Sequence, residues 1–157
     1  LAPSGAMLVV LADLCTRLGL EIPELEPETL RRLQEISLPF IRMRNPVDIW
    51  AATSRGIEFG YREGMEAVLK DPNIDAVVPI LMLAKETGIP QYDFLIELAR
   101  KYPEKPVLVT FSGDKKYMEE CKEFVEPKGI PTFTEIEQPF EVLSILSRCT
   151  RAMNRPQ

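Results

Sequence analysis

Histidine is absent from all 157 residues of the chain. That absence excludes Ser-His and Cys-His nucleophilic catalysis, imidazole ligation of zinc and phosphohistidine chemistry carried by this chain itself. Any catalysis here falls to carboxylates, lysines or hydroxyls. No apolar run approaches the roughly 20 residues that a membrane-spanning helix needs, and no basic-then-apolar signal segment opens the chain. The expectation is a cytoplasmic protein with no membrane partner. Clusters of positive charge are missing too: 19 Lys and Arg stand against 24 Asp and Glu, for a formal charge of −5, and the basic residues lie singly or in pairs such as Arg31-Arg32 and Lys115-Lys116. Such a surface repels nucleic acid. Cysteine is scarce, and Cys15, Cys121 and Cys149 are odd in number, widely spaced and set in apolar helical patterns. They read as buried structural thiols, with no metal site implied.

What is present suffices for one domain with a genuine core, expected over residues 1–153 with 154–157 as a tail. The stretch 5–18 carries Met7, Leu8, Leu11, Leu14, Cys15 and Leu18 on one helical stripe. Ser4 stands as its N-cap and Gly19 as its left-handed stop. A helix of this kind in a doubly wound fold follows a strand that enters the core. Here only Leu1-Ala2-Pro3 precede it, so the first strand is expected to be truncated.

After Gly19 the apolar stretch 20–25, broken by Pro23, predicts a brief edge strand. Pro27 then opens a helix with Leu30, Leu33 and Ile36 on one face, and Pro39 ends it. Residues 42–50 read as an irregular loop with a turn at Asn45-Pro46. A helix over 56–69 closes in the turn Asp71-Pro72-Asn73, and the apolar run 76–83 predicts a strand buried on both faces in spite of Pro79. The same rhythm continues with a helix over 91–101, a strand over 106–111, a helix over 115–125 and a strand over 130–134. A last helix over 139–153 places Val142, Leu143, Leu146 and Cys149 on its buried side. Alternation of this kind predicts an α/β fold: a three-layer, doubly wound parallel sheet of the flavodoxin-like type, in the order 2-1-3-4-5.

Ligands of such sheets bind outside the carboxyl ends of the strands. Four segments are expected to meet there: Ala2-Pro3-Ser4-Gly5, the loop from Asn45 to Asp48, the stretch 83–87 with Lys85 and Glu86, and Ser112-Gly113-Asp114. Ser4, Gly5 and Ala6 open a long helix whose free N–H groups and dipole favour a phosphate or carboxylate, although every helix needs such a cap. Asn45, Pro46 and Asp48 could present an amide and a carboxylate, or form a self-capping turn. Lys85 and Glu86 could guard a pocket mouth or be solvated charges. Asp114 reads as a helix cap. Trp50 could stack on a ligand or pack in a core or interface.

Taken in order, several strings carry a resemblance across nearly the whole chain: Ser4-Gly5 opening a helix, Leu18-Gly19-Leu20-Glu21-Ile22-Pro23, Arg44-Asn45-Pro46-Val47-Asp48, Asp71-Pro72-Asn73-Ile74-Asp75-Ala76-Val77, Lys105-Pro106-Val107-Leu108 and Gly129-Ile130-Pro131. They resemble the domain that follows the phosphohistidine domain in NDP-forming (ADP-forming) acyl-CoA synthetases, and are similar to succinyl-CoA synthetase. The resemblance implies that the start of the first helix holds a phosphorylated histidine supplied by another domain, with Ser4, Gly5 and Ala6 on the phosphate and no catalytic residue here. It implies CoA-binding, phosphohistidine and ATP-grasp domains as partners. CoA, ATP or ADP and Mg would then belong to the parent protein, with none bound by this domain alone, and the isolated chain would be inactive. Self-association into a homo-oligomer is compatible with it. Two departures stand out: the family's Gly-Gly-Pro-Gly turn is here Ala2-Pro3-Ser4-Gly5, and the loop after Leu81 lacks glycines. A non-catalytic regulatory or interaction module on the same scaffold is the alternative. An FMN-binding flavodoxin would want more hydroxyls before the first helix, and a phospho-acceptor receiver would want an aspartate where Leu83 stands.

Overall fold

The computed structural model describes residues 1–83 and 92–153. Helix α1 spans Gly5–Leu18, α2 Pro27–Ile36, α3 Trp50–Thr53, α4 Ile57–Lys70, α5 Asp93–Lys101, α6 Lys115–Val125 and α7 Gln138–Met153. Strands β1 (Ile80–Leu83), β2 (Val109–Gly113) and β3 (Thr132–Phe133) form a parallel sheet in that order.

Two short extended segments continue the sheet beyond β1. The Leu1 nitrogen donates to the Val78 carbonyl at 2.9 Å, and the Ile80 amide donates to the Leu1 carbonyl at 2.9 Å. On the other side, the Ala2 amide reaches Val47 O and the Ile49 amide reaches Ala2 O, each at 3.1 Å, making a parallel bridge between Ala2 and Asp48. Spatially the order is therefore residues 47–49, residues 1–2, β1, β2, β3. This is the 2-1-3-4-5 arrangement, but its edge position belongs to 47–49 and not to 20–25. Val47 and Ile49 are 1% and 0% exposed, apolar enough to be buried against α4. Residues 20–25 form no strand, and Pro23 cannot donate to one.

Pro79 leaves a visible mark on the third sheet position. Odd residues there face β2: the Val77 amide donates to Pro106 O, and Val77 O and Pro79 O accept from Leu108 and Thr110. The missing Pro79 N–H removes one rung between them, so regular pairing splits into a bridge at Val77 and a ladder from Ile80. Pro3 imposes a similar loss next door. By register, residue 3 should donate to the Ile80 carbonyl, but proline has no N–H. The Tyr61 hydroxyl of α4 donates to that carbonyl instead, and burial pushes the phenol's pKa well up.

Side chains alternate between two apolar layers. Val77, Leu81, Leu83, Val107, Val109 and Phe111 join the cluster containing Leu33, Tyr61, Met65, Phe94 and Leu95. Ala2, Val78, Ile80 and Leu108 pack with Leu8, Leu11 and Leu14 of α1, flanked by Phe140 and Leu143 of α7. Helices thus cover both faces of the sheet. Residues at the outer side of α7 differ from the expectation: Leu146 is 49% exposed and Cys149 is exposed, while Pro139 and Ser144 are buried. The Ser144 hydroxyl binds the Leu18 carbonyl at 2.7 Å, which turns the helix by its polar anchor.

Asp71 shows why Asp-Pro-Asn stands after α4. Its carboxylate accepts from the Asn73 amide at 2.9 Å within the turn and from the Glu26 amide at 2.8 Å across the fold. Glu26, at the start of α2, has no side-chain cap of its own. A remote aspartate thus does what a capping-box residue does locally.

Candidate functional site

Chain direction places the start of α1 at the carboxyl edge of the sheet. Ala2 still pairs in the sheet, Pro3 breaks the pairing, and Ser4 turns the chain with φ −158° and ψ 112°. The Ser4 hydroxyl accepts from the Met7 amide at 3.4 Å and its carbonyl from the Leu8 amide at 3.1 Å. Gly5 and Ala6 are exposed, and among the described residues their amides have no acceptor. The first turn holds no acidic side chain, so the positive end of the dipole is not neutralised from within the helix.

Asp48 is brought to this place. A Cβ added to Gly5 would lie 3.3 Å from Asp48 Oδ2, while Oδ1 accepts from the Trp50 amide at 3.0 Å and caps α3. The site is therefore two open amides, one hydroxyl and one carboxylate. Such a set can bind a phosphoryl group that arrives with a donor or cation of its own. Trp50 stands beside Asp48 at 60% exposure, which excludes core packing for it.

Asn45 and Pro46 lie elsewhere. They precede residues 47–49 and so sit at the amino edge of the sheet, where the Asn45 amide nitrogen donates to Pro23 O at 3.0 Å and the Asn45-Pro46 peptide is cis. The expectation that the whole 45–48 loop joins the carboxyl edge is corrected: a strand position separates its two ends. Lys85 and Glu86 lie outside the described residues. Ser112-Gly113-Asp114 closes β2 on the carboxyl side, with Asp114 Oδ1 capping α6 through the Lys116 amide at 2.9 Å. Cys15 and Cys121 are buried and Cys149 is exposed, so the reading of three buried thiols holds for two. Among the described residues no cluster of three His, Cys, Asp or Glu residues is placed to hold a metal ion. No described helix is long and apolar enough to cross a membrane.

A cavity of about 620 Å³ opens at the amino edge instead, between α1, α7 and the starts of the strands. Leu1, Cys15, Asn45, Val47, Val68 and Val78 are among its lining residues. Sequence patterning carries no trace of it, because its walls come from segments far apart in the chain.

Fold and site together define a parallel α/β domain with a helix N-terminus open at the carboxyl edge, the class that receives anionic groups at that edge. The sequence profile of the Ligase-CoA domain matches residues 1–156, and the chain belongs to that family. Two curated relatives come from Archaeoglobus fulgidus. Acetate–CoA ligase (ADP-forming) II is 26% identical over 87% of this chain and 20% of its own length; acetate–CoA ligase (ADP-forming) I is 28% identical over 96% of this chain and 21% of its own. The chain spans about a fifth of the length of these relatives. Among solved structures, PH0766 of Pyrococcus horikoshii OT3 superposes with a TM-score of 0.83 at 27% identity, covering 98% of this chain and 35% of that one. The dinucleotide-forming acetyl-coenzyme A synthetase 1 of Ca. Korarchaeum cryptofilum, solved with phosphate and ADP, shares the fold with a TM-score of 0.79 at 21% identity, covering 96% of this chain and 32% of that one.

Proposed function

We propose that this chain is the non-histidine domain of an NDP-forming acyl-CoA synthetase, an acid–thiol ligase, and that the start of α1 steadies the phosphorylated histidine of another domain. The parent reaction is acyl-CoA plus phosphate giving acyl phosphate and CoA, transfer of the phosphoryl group to histidine, then from histidine to ADP, leaving the free acid and ATP. Acetyl-CoA is the substrate suggested by the relatives' names. CoA-binding, phosphohistidine and ATP-grasp domains would supply the rest, on the same chain or in a complex. Alone, this chain cannot turn over, because it has no histidine to phosphorylate.

One observation carries the reading: in a member of the Ligase-CoA domain family, the amides of Gly5 and Ala6 stand open at the carboxyl edge of the sheet. Oriented amides of this kind stabilise a phosphoryl group during transfer without reorganising. The alternative, a scaffold that keeps the fold without the chemistry, draws support from Asp48, whose charge beside Gly5 disfavours an unaccompanied anion.

Gly5→Pro in the parent protein tests the proposal. Proline is accepted at the first helical position and deletes one of the two amides. Loss of one charge-assisted hydrogen bond, about 1.5–3 kcal/mol, should lower phosphoryl transfer roughly ten-fold or more. Thermal unfolding of the variant checks that crowding against Asp48 has not undone the fold. Unchanged turnover, together with unmoved Gly5 and Ala6 amide resonances when inorganic phosphate is titrated into this chain, would favour the scaffold reading.

A further inference from the structure

Helix α7 outruns the layer it covers. Its first half packs on the core through Phe140 and Leu143, and Ser144 meets the Leu18 carbonyl at the end of α1. At about 1.5 Å per residue, residues 145–153 carry the helix about 13 Å further. Leu146, Ser147 and Thr150 turn one side of this extension to the amino-edge cavity. The other side is open. There Ile145 is 58% and Met153 84% exposed, with Cys149 and Ala152 exposed between them. Their spacing of four, three and one residues sets all four on one apolar stripe.

Charge singles this stretch out. Helices α2, α4 and α6 each set an arginine or lysine one turn from a carboxylate, as in Arg31–Glu35, Lys70–Glu66 and Lys122–Glu126. From residue 142 to residue 153 there is no Asp or Glu. Arg148 borders the stripe and Arg151 follows one turn later, and among the described residues neither has an ion-pair partner. An apolar stripe with a purely basic border fits a surface that is apolar at its centre and acidic at its rim.

We infer that the outer half of α7 docks into an apolar groove with a carboxylate rim on another domain of the parent protein. Docking of this kind rests on the multidomain parent proposed above and is independent of the phosphoryl role of α1. Pairing of α7 with its counterpart in a second copy would bring the arginines of both to one seam with no carboxylate between them. An anionic lipid surface would attract the two arginines but repel the rest of the chain, whose formal charge is −5.

Cys149 lies within the stripe and reports whether it is covered. Its alkylation by iodoacetamide is followed by peptide mass mapping in this chain alone and in the parent protein, with buried Cys15 and Cys121 as internal references. The expected result is labelling roughly ten-fold or more slower in the parent. Arg148→Glu with Arg151→Glu should return it to the rate of the isolated chain, and Arg148→Lys with Arg151→Lys should keep it slow. Both arginines are exposed, so the unfolding temperature should not move; if the glutamate pair does not fold, Ile145→Gln in the parent should release Cys149 in its place. Equal labelling in parent and isolated chain would overturn the inference, as would shielding that survives the glutamate pair. Sedimentation of the isolated chain as a dimer that Ile145→Gln breaks would overturn it in favour of a second copy, and co-sedimentation with phosphatidylserine vesicles in favour of a lipid surface. None of these readouts involves the Gly5 and Ala6 amides, so they fail separately from phosphoryl transfer.

Discussion

Gly113 is the residue whose replacement the structure forbids most plainly. Its φ is 129°, and an added Cβ would stand 1.9 Å from the Leu83 carbonyl oxygen. Neighbouring strands pair at this point, with Leu83 opposite Gly113 and the Asp114 amide donating to Leu83 O at 3.1 Å. Relief would require separating the carboxyl ends of β1 and β2. Gly113→Ala should therefore cost more than about 3 kcal/mol, seen as a lowered denaturant midpoint, whereas Gly19→Ala, at φ 69° with open space around it, should cost about 1–2 kcal/mol from backbone strain. Asp114 is legible as a cap in the sequence because an aspartate before a helical stripe is a local signal. The close approach at Gly113 is not, since it depends on a strand 30 positions earlier.

At the scale of elements, helices were legible because their caps and stripes are written within a few residues. Ser4 and Gly19 bracket α1 as their chemistry implies, and α6 runs over the expected residues. Strands were legible only in part. Pro79 and Pro3 each remove a rung, and the fold answers Pro3 with Tyr61, a residue on α4 that reads as one more apolar position in sequence. Tyr61→Phe keeps the ring and leaves the Ile80 carbonyl buried without a donor, so it should destabilise by about 1–3 kcal/mol, measured by urea denaturation with an unchanged slope. A loss within experimental error would mean that Ile80 O finds another donor. The buried side of α7 departs from its apolar stripe because the Ser144–Leu18 bond also sets its rotation.

Across the whole molecule, two carboxylates tie distant segments and set the response to acid. Hydrogen bonding from Lys101, then Lys70, holds the Glu66 pKa down to about 2, linking α4 to α5. Burial would raise the Asp71 pKa, but hydrogen bonds from Thr29, Asn73 and Glu26 and the charge of Lys105 outweigh it and lower it. Folded-state values below the unfolded ones mean stability that is complete above the unfolded range, near pH 4.5, and drains away as pH falls toward 2. Unfolding temperature should be level above about pH 5 and fall steadily below it, and Glu66→Gln should flatten part of that fall. A slope unaltered by the substitution would remove Glu66 from the account.

By itself the sequence determined the alternation of helices and strands, the doubly wound class, the family and the absence of histidine from these 157 residues. Those features are local or compositional: a stripe every three to four residues, a cap beside it, a residue type that never occurs. Only the tertiary structure decided that residues 47–49 and not 20–25 take the sheet edge, that Asp48 reaches Gly5 while Asn45 is carried to the opposite end, and that a cavity opens at that end. Each of these depends on which distant backbones lie side by side, and a choice between two apolar segments of similar pattern is settled by burial and register across the whole sheet, where periodicity carries no information.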